Sequence, residues 1–274
     1  MKGIPGKAAV ACAAMALAGC PPRAPPPDLS LDPGQLLAQV RAAQDRTRSV
    51  RGEVRVRVEA PGGSGTVPAF VGAKKPDRVY VQTLDFFGNA ASTLATAGGE
   101  LSLYDARERV VYRGAATPEN LARLVPVPLS PSDLATLLCG SAPLLEGEPV
   151  RAEPGRGWVE LEIAAGPRRQ VLRIGPGAAV LSSSLAVASG GQGAYDVAFR
   201  ALDAFAGRRF PAEITLTARD PAVSMRVTFT DVEPGATLED ALFTPRVPRG
   251  ARVVDLAATP PPTGLFPEPR PPGQ

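Results

Sequence analysis

Residues 79–140 read VYVQTLDFFGNAASTLATAGGELSLYDARERVVYRGAATPENLARLVPVPLSPSDLATLLCG. Val79 to Leu84 alternates as a strand, turns through Asp85-Phe86-Phe87-Gly88-Asn89 and returns as Ala91 to Ala97. Leu101 to Tyr104 and Val110 to Tyr112 form a second hairpin, so the stretch predicts an antiparallel meander. The chain then leaves the sheet for two short helices, Thr117 to Leu124 and Ser130 to Cys139. Each opens on a capping hydroxyl followed by proline, and Leu134, Leu137 and Leu138 give the second an apolar stripe. Two phenylalanines in a turn are unexpected, because turns favour polar residues and glycine. Folded back onto the sheet, Phe86 and Phe87 belong to the core; exposed on a membrane-tethered protein, they meet the bilayer. A curved sheet interrupted by helices predicts a hydrophobic cavity with Leu134, Leu137 and Leu138 in its lid. A filled, close-packed interior is the other reading of the same aliphatic residues.

Outward from this stretch the strand pattern continues. Val50, Gly52, Val54, Val56, Val58 and Ala60 alternate with Arg51, Glu53, Arg55, Arg57 and Glu59, which predicts a strand with one buried and one wet face. Thr66 to Gly72 follows, with Pro68 marking an edge or a bulge. Asp32-Pro33 starts a helix whose apolar face is Leu36, Leu37, Val40 and Ala43. Beyond the insertion come Val159 to Ile163, Val171 to Ile174, Val180 to Val187, Tyr195 to Phe199, Phe210 to Thr217 and Met225 to Phe229. Gly166-Pro167, Gly175-Pro176-Gly177 and Gly190-Gly191 punctuate them. Short strands so separated predict a mainly β (α+β) domain rather than βαβ units. The expected architecture is an incomplete antiparallel β-barrel of about 11 strands, with helices as the lid.

The first residues are read as a targeting segment. Lys2 and Lys7 precede the apolar run Ala8 to Ala18, which is too short to span a bilayer. Leu17-Ala18-Gly19-Cys20 looks like a bacterial lipobox, in which Cys20 is acylated after cleavage behind Gly19. The expected organisation is therefore a signal peptide over 1–19 and acylated Cys20 with a Pro-rich tether over 20–31. A domain over 32–256 and a Pro-rich disordered tail over 257–274 complete it. Losing Lys2 and Lys7 lowers the basic count from 30 to 28 against 27 acidic residues, a balance that argues against nucleic acid as a partner. Of the three cysteines only Cys139 remains unassigned, so stability must come from packing rather than disulfides.

Catalytic chemistry finds little footing. The chain has no histidine, which removes the commonest general base and metal ligand. Ser182-Ser183-Ser184 lies in a strand with no evident base, and Glu160 and Glu162 beside Arg168 and Arg169 read as solvated strand-edge charges. No phosphate-binding glycine motif and no zinc spacing occurs. The sequence therefore predicts no enzyme, catalytic residue, metal or cofactor. Its predicted partners are membrane lipid, through acylated Cys20, and a lipid or lipoprotein client in the cavity.

The lipobox, the helix, the meander and the apolar turn ending Gly88-Asn89 together resemble the LolA/LolB family of outer-membrane lipoprotein carriers and receptors. So does Thr117 to Leu124 leading through Pro126-Val127-Pro128-Leu129-Ser130 into an apolar helix that ends Gly140-Ser141-Ala142-Pro143. The closing run from Leu242 to Asp255 resembles the end of LolA. The resemblance implies a half-barrel around a hydrophobic cavity, in a lipoprotein that delivers acyl chains to the outer membrane and faces the periplasm. Pro21 after the acylated cysteine leaves the inner membrane open. It also implies an exposed apolar tip residue, which falls on Phe87 with Phe86 beside it, and a cavity-closing arginine, for which Arg41 and Arg55 are candidates. The Pro-rich ends and the turn at Gly190-Gly191 depart from LolB, which leaves room for another lipophilic client. The competing expectation is a scaffolding lipoprotein of an envelope complex that uses the same fold without a ligand.

Overall fold

The computed structural model describes residues 24–258, apart from 62, 126–128, 189–192, 206–207 and 221; the side chains of 201–205 and 208 are likewise left aside. The lipobox with Cys20, the Pro126-Val127-Pro128 segment, the turn at Gly190-Gly191 and most of the Pro-rich tail lie outside the described residues. Helix α1 (Pro33–Gln44) precedes β1 (Ser49–Ala60), β2 (Gly63–Lys74), β3 (Arg78–Leu84), β4 (Ala90–Ala97), β5 (Glu100–Asp105) and β6 (Val110–Ala115). Helices α2 (Pro118–Ala122) and α3 (Pro131–Leu138) follow. Then come β7 (Glu148–Pro154), β8 (Val159–Ala165), β9 (Arg168–Gly175), β10 (Ala179–Val187), β11 (Tyr195–Phe205), β12 (Arg208–Arg219), β13 (Ala222–Pro234) and β14 (Arg252–Asp255). One open sheet of 14 strands runs in the order β14-β6-β5-β4-β3-β2-β1-β13-β12-β11-β10-β9-β8-β7. All neighbours are antiparallel except β14, which lies parallel to β6. The sheet thus exceeds the expected count of about 11, and the strands without a counterpart in the sequence reading are its two edges, β7 and β14.

The alternation in β1 becomes two faces. Val50, Val54, Val56 and Val58 are buried, while Arg51, Glu53, Arg55, Arg57 and Glu59 point to solvent. Pro68 meets its expectation in a specific way. β2 lies inside the sheet, but its pairing with β3 begins only at Ala69 opposite Thr83. Opposite Arg55, Pro68 is therefore locally at an edge, where a missing N–H removes no ladder bond.

The helices are held by the caps the sequence carries. Asp32 accepts from the Gln35 N–H at 2.8 Å with Pro33 in the first turn. Ser130 and Asp133 cap each other's backbone N–H groups, at 3.1 and 3.0 Å. α3 ends at Gly140, whose φ of +79° suits glycine; a Cβ there would stand 2.8 Å from the Phe210 ring. Leu36, Leu37 and Val40 of α1 and Leu134, Leu137 and Leu138 of α3 join the sheet's inner face in one apolar cluster. α3 packs on β2 and β3, and α1 on β7, β8 and β10. Among the described residues every member of that cluster lies between Leu29 and Leu256, within a chain that begins at residue 24.

One buried polar side chain ties the loop after α3 to the sheet. Gln170, on β9, accepts from the Leu145 N–H at 2.7 Å and donates to the Pro143 carbonyl at 2.6 Å and to Ser183 Oγ at 2.9 Å. Gln170→Leu keeps the size but strands a buried N–H and a buried carbonyl. The expected loss is about 2–3 kcal/mol, read as an earlier midpoint with an unchanged slope in urea unfolding.

The segment after β13 crosses the outer face of the sheet. Ala236, Leu238 and Phe243 bury against Tyr80, Ala97 and Leu242, and Asp240 is gripped by Lys74 and Arg78. Hydrogen bonding from Lys74 and the nearby Arg78 charge hold the Asp240 carboxyl below the usual range. Pro245 to Pro248 then passes over Tyr80, Tyr104 and Val111 before the chain turns back as β14. Arg123 Nη1 donates to the Leu256 carbonyl at 3.0 Å, which fastens the end of this strap.

Candidate functional site

The β3–β4 turn is the most exposed apolar feature among the described residues. Phe86 is 97% and Phe87 84% exposed, and their rings meet edge to face with centroids 5.6 Å apart. The turn beneath them is tightly bonded. Asp85 Oδ1 accepts from the Asn89 N–H at 2.8 Å and the Phe87 N–H at 2.9 Å. The Asp85 N–H donates to the Asn89 carbonyl at 2.8 Å, and Gly88 takes the turn with φ +82°. Those N–H groups, Asn89 foremost, hold the Asp85 carboxyl below its ordinary range, so the clamp stays charged at neutral pH. Two large rings are thus held in water by a loop that lacks the apolar contacts to hide them.

The residues expected in a lid lie elsewhere. Leu134, Leu137 and Leu138 are buried on the inner face, where α3 packs against β2 and β3. Neither Arg41 nor Arg55 sits in the interior. Arg55 falls on the outward phase of β1, and Arg41 on the exposed side of α1.

At the end of the sheet opposite the Phe tip, a recess of about 630 Å³ opens between the ends of α1 and α3. Cys139, Ala178, Val180 and Phe210 line its inside, and Arg46 and Arg209 stand at it. Near it Lys75 Nζ donates to the Gln44 carbonyl at 2.9 Å, with its pKa lowered by burial. Burial also pushes the Cys139 thiol up to about 11, which disfavours its thiolate form. No sequence pattern marks this mouth, because its lining comes from four segments far apart in the chain.

The expected charge sites sit on the outer face. Glu160 faces Arg173 at 3.6 Å, while Glu162 lies between Arg151 at 3.4 Å and Arg169 at 3.7 Å. These are ion pairs across strand faces rather than strand edges, each worth at most about 1 kcal/mol in water. Ser183 is buried and engaged by Gln170. Among the described residues no group of three or more His, Cys, Asp or Glu side chains is placed to hold a metal.

No family model and no curated protein matches the sequence. Solved structures do match its fold. A LolA superfamily protein from Nitrosomonas europaea superposes with a TM-score of 0.56 at 14% identity, over 79% of this chain and 99% of that one. The fold is LolA-like. A putative outer-membrane lipoprotein-sorting protein domain from Vibrio parahaemolyticus gives 0.53 at 12% identity, over 76% of this chain and 94% of its own. A DUF1329 family protein from Desulfovibrio piger gives 0.53 at 15%, over 77% and 95%. The LolA-like half-barrel here has its helices against the inner face and its aromatic tip on the rim.

Proposed function

We propose that this protein is a lipoprotein anchored through acylated Cys20, facing the periplasm from the outer membrane, that binds lipid or lipoprotein acyl chains and helps deliver them to that membrane. The observation that carries the reading is the clamped, solvent-exposed Phe86–Phe87 pair on the rim of an apolar half-barrel. The interior supplies aliphatic carbon to acyl chains, and α3 is the element whose displacement would admit them. A second reading has one observation in its favour. Leu134, Leu137 and Leu138 are packed into the interior, which suits a scaffolding lipoprotein with a filled core. Native mass spectrometry of residues 24–274 separates the two: co-purifying acyl species support the carrier, and a clean apo mass supports the scaffold.

The anchor has its own test. Two or three acyl chains, at about 0.8 kcal/mol per buried methylene, hold a protein firmly to a bilayer. In Cys20→Ser cells, labelled palmitate should no longer enter the protein and the membrane-bound fraction should fall. Palmitate incorporation equal to the parent's would remove Cys20 as the anchor.

A further inference from the structure

The Phe tip does not stand alone on its rim. Thr83 pairs with Ser92, Ser92 with Asp105, Asp105 with Val110, and Val110 with Arg252, so these residues form one row across β3, β4, β5, β6 and β14. Just beyond the row lie the Phe86–Phe87 turn, the β5–β6 turn with Arg107 and Arg109, and the bend of the strap at Arg249-Gly250. Three strand spacings separate β4 from β14, about 15 Å. Arg107, Arg109, Arg246, Arg249 and Arg252 are all exposed, and among the described residues none is in an ion pair. Of the outer-face arginines among the described residues, Arg151, Arg169, Arg173, Arg200 and Arg226 each face a glutamate, while Arg55 on β1 does not.

The acids of this rim are outnumbered: Asp85, Asp105 and Glu108 stand against five arginines, and the first two are held in the turns rather than against the guanidiniums. Asp85 is turned onto the backbone of its own turn, and Asp105 Oδ1 onto the Arg107 and Glu108 N–H groups at 2.9 and 3.0 Å. Glu108 is left as the exposed carboxylate of the β5–β6 turn. Arg109 also fixes the strap in place, its Nη2 donating to the Arg249 carbonyl at 3.0 Å. That bond holds the arginine-bearing strap against the rim that carries the two rings.

We propose that the Phe tip and the arginine collar of the strap form one docking surface for an anionic lipid bilayer, the rings entering the acyl boundary while the guanidiniums bind headgroup phosphates. This deepens the delivery reading and rests on it. Apolar rings beside an excess of cations are the composition of an interfacial membrane surface. Guanidinium binds phosphate oxygens in a fork that ammonium lacks, and the collar is entirely arginine. A protein partner would use rings and arginines as well, so binding to protein-free vesicles is the observation that separates the two.

Flotation of residues 24–274 with vesicles of phosphatidylcholine alone, or with a third of phosphatidylglycerol, tests this. The parent should prefer the anionic vesicles, with the preference fading between 50 and 500 mM salt, concentrations chosen to shorten the Debye length to a few ångströms. Each basic residue at an anionic surface strengthens binding about fivefold, so Arg246→Gln/Arg249→Gln/Arg252→Gln should weaken anionic binding roughly a hundredfold while leaving neutral binding as in the parent. Circular dichroism melting checks the fold; Arg107→Gln with Arg246→Gln, which leaves the edge strand intact, serves if the triple variant is destabilised. Equal binding of the parent to both vesicle types overturns the collar while sparing the Phe tip. Binding to neither overturns the membrane reading as well, and leaves the cations to a protein partner.

Discussion

Leu137→Glu is expected to unfold the domain. Leu137 is 3% exposed, faces β2 and β3, and belongs to the cluster that joins α1, α3 and the inner face. Losing a buried leucine of this kind costs about 2–5 kcal/mol. An ionised glutamate adds the cost of placing a charge in an apolar cluster, several kcal/mol more unless it takes up a proton. Against a typical total of about 5–15 kcal/mol, the sum leaves little folded protein at neutral pH. The measurement is far-UV circular dichroism with thermal melting of residues 24–274. Leu137→Ala makes the informative companion. It should fold with a lowered Tm and leave an apolar hollow under α3, so binding of an apolar dye should rise above the parent's. A stable Leu137→Glu protein that keeps its sheet signal and loses dye binding would instead mean that α3 is a loosely seated lid over open space.

How much of this was legible depends on burial. β1 is half-buried along its length, so Val50 to Val58 announce both the strand and its faces. β7 and β14 are edges, exposed on most residues, and neither sequence carries an alternation for a reader to find. Pro149 and Pro154 on β7 read as loop signals, yet on an edge a proline disturbs no neighbour on its outer side. The tether is a further case. Pro26 and Leu29 are buried, and Asp28 Oδ2 accepts from the Gly177 N–H at 2.7 Å, so the end of the Pro-rich segment is packed onto the domain rather than standing free of it.

The functional surfaces divide the same way. Phe86 and Phe87 were visible because two rings in a turn break a local rule, and only their exposure was open. The helix caps were visible because they are local, four residues at a time. The arginine collar was not visible, since Arg246 reaches Tyr80 and Tyr104 only through the path of the strap, and Arg109 meets Arg249 from 140 residues away in the chain. A whole-chain balance of 28 basic and 27 acidic residues hides a patch in which five arginines meet three carboxylates. The mouth between α1 and α3 was hidden for the same reason of distance in sequence.

The Phe86→Glu/Phe87→Glu protein should melt like its parent and fail to bind vesicles. Both rings are almost wholly in water, and the turn is held by Asp85, Gly88 and Asn89 rather than by ring packing. Surface changes of this sort stay within about 0.5 kcal/mol, so the Tm should shift by no more than about 2 °C. Burial of one such ring in the acyl boundary is worth about 2–3 kcal/mol, so losing two lowers vesicle affinity by about a thousandfold or more. The introduced carboxylates resist leaving water, and on anionic vesicles they also repel the headgroups, which adds to the loss. Neutral vesicles isolate the apolar part: there the double variant should lose binding that the arginine variants keep. Phe87→Leu, which keeps an apolar side chain on the same turn, should retain much of it. Vesicle binding by the double glutamate variant at the parent's level would take the tip out of membrane contact. A large fall in Tm would place the rings in the core after all, and the delivery reading would lose the residues that support it.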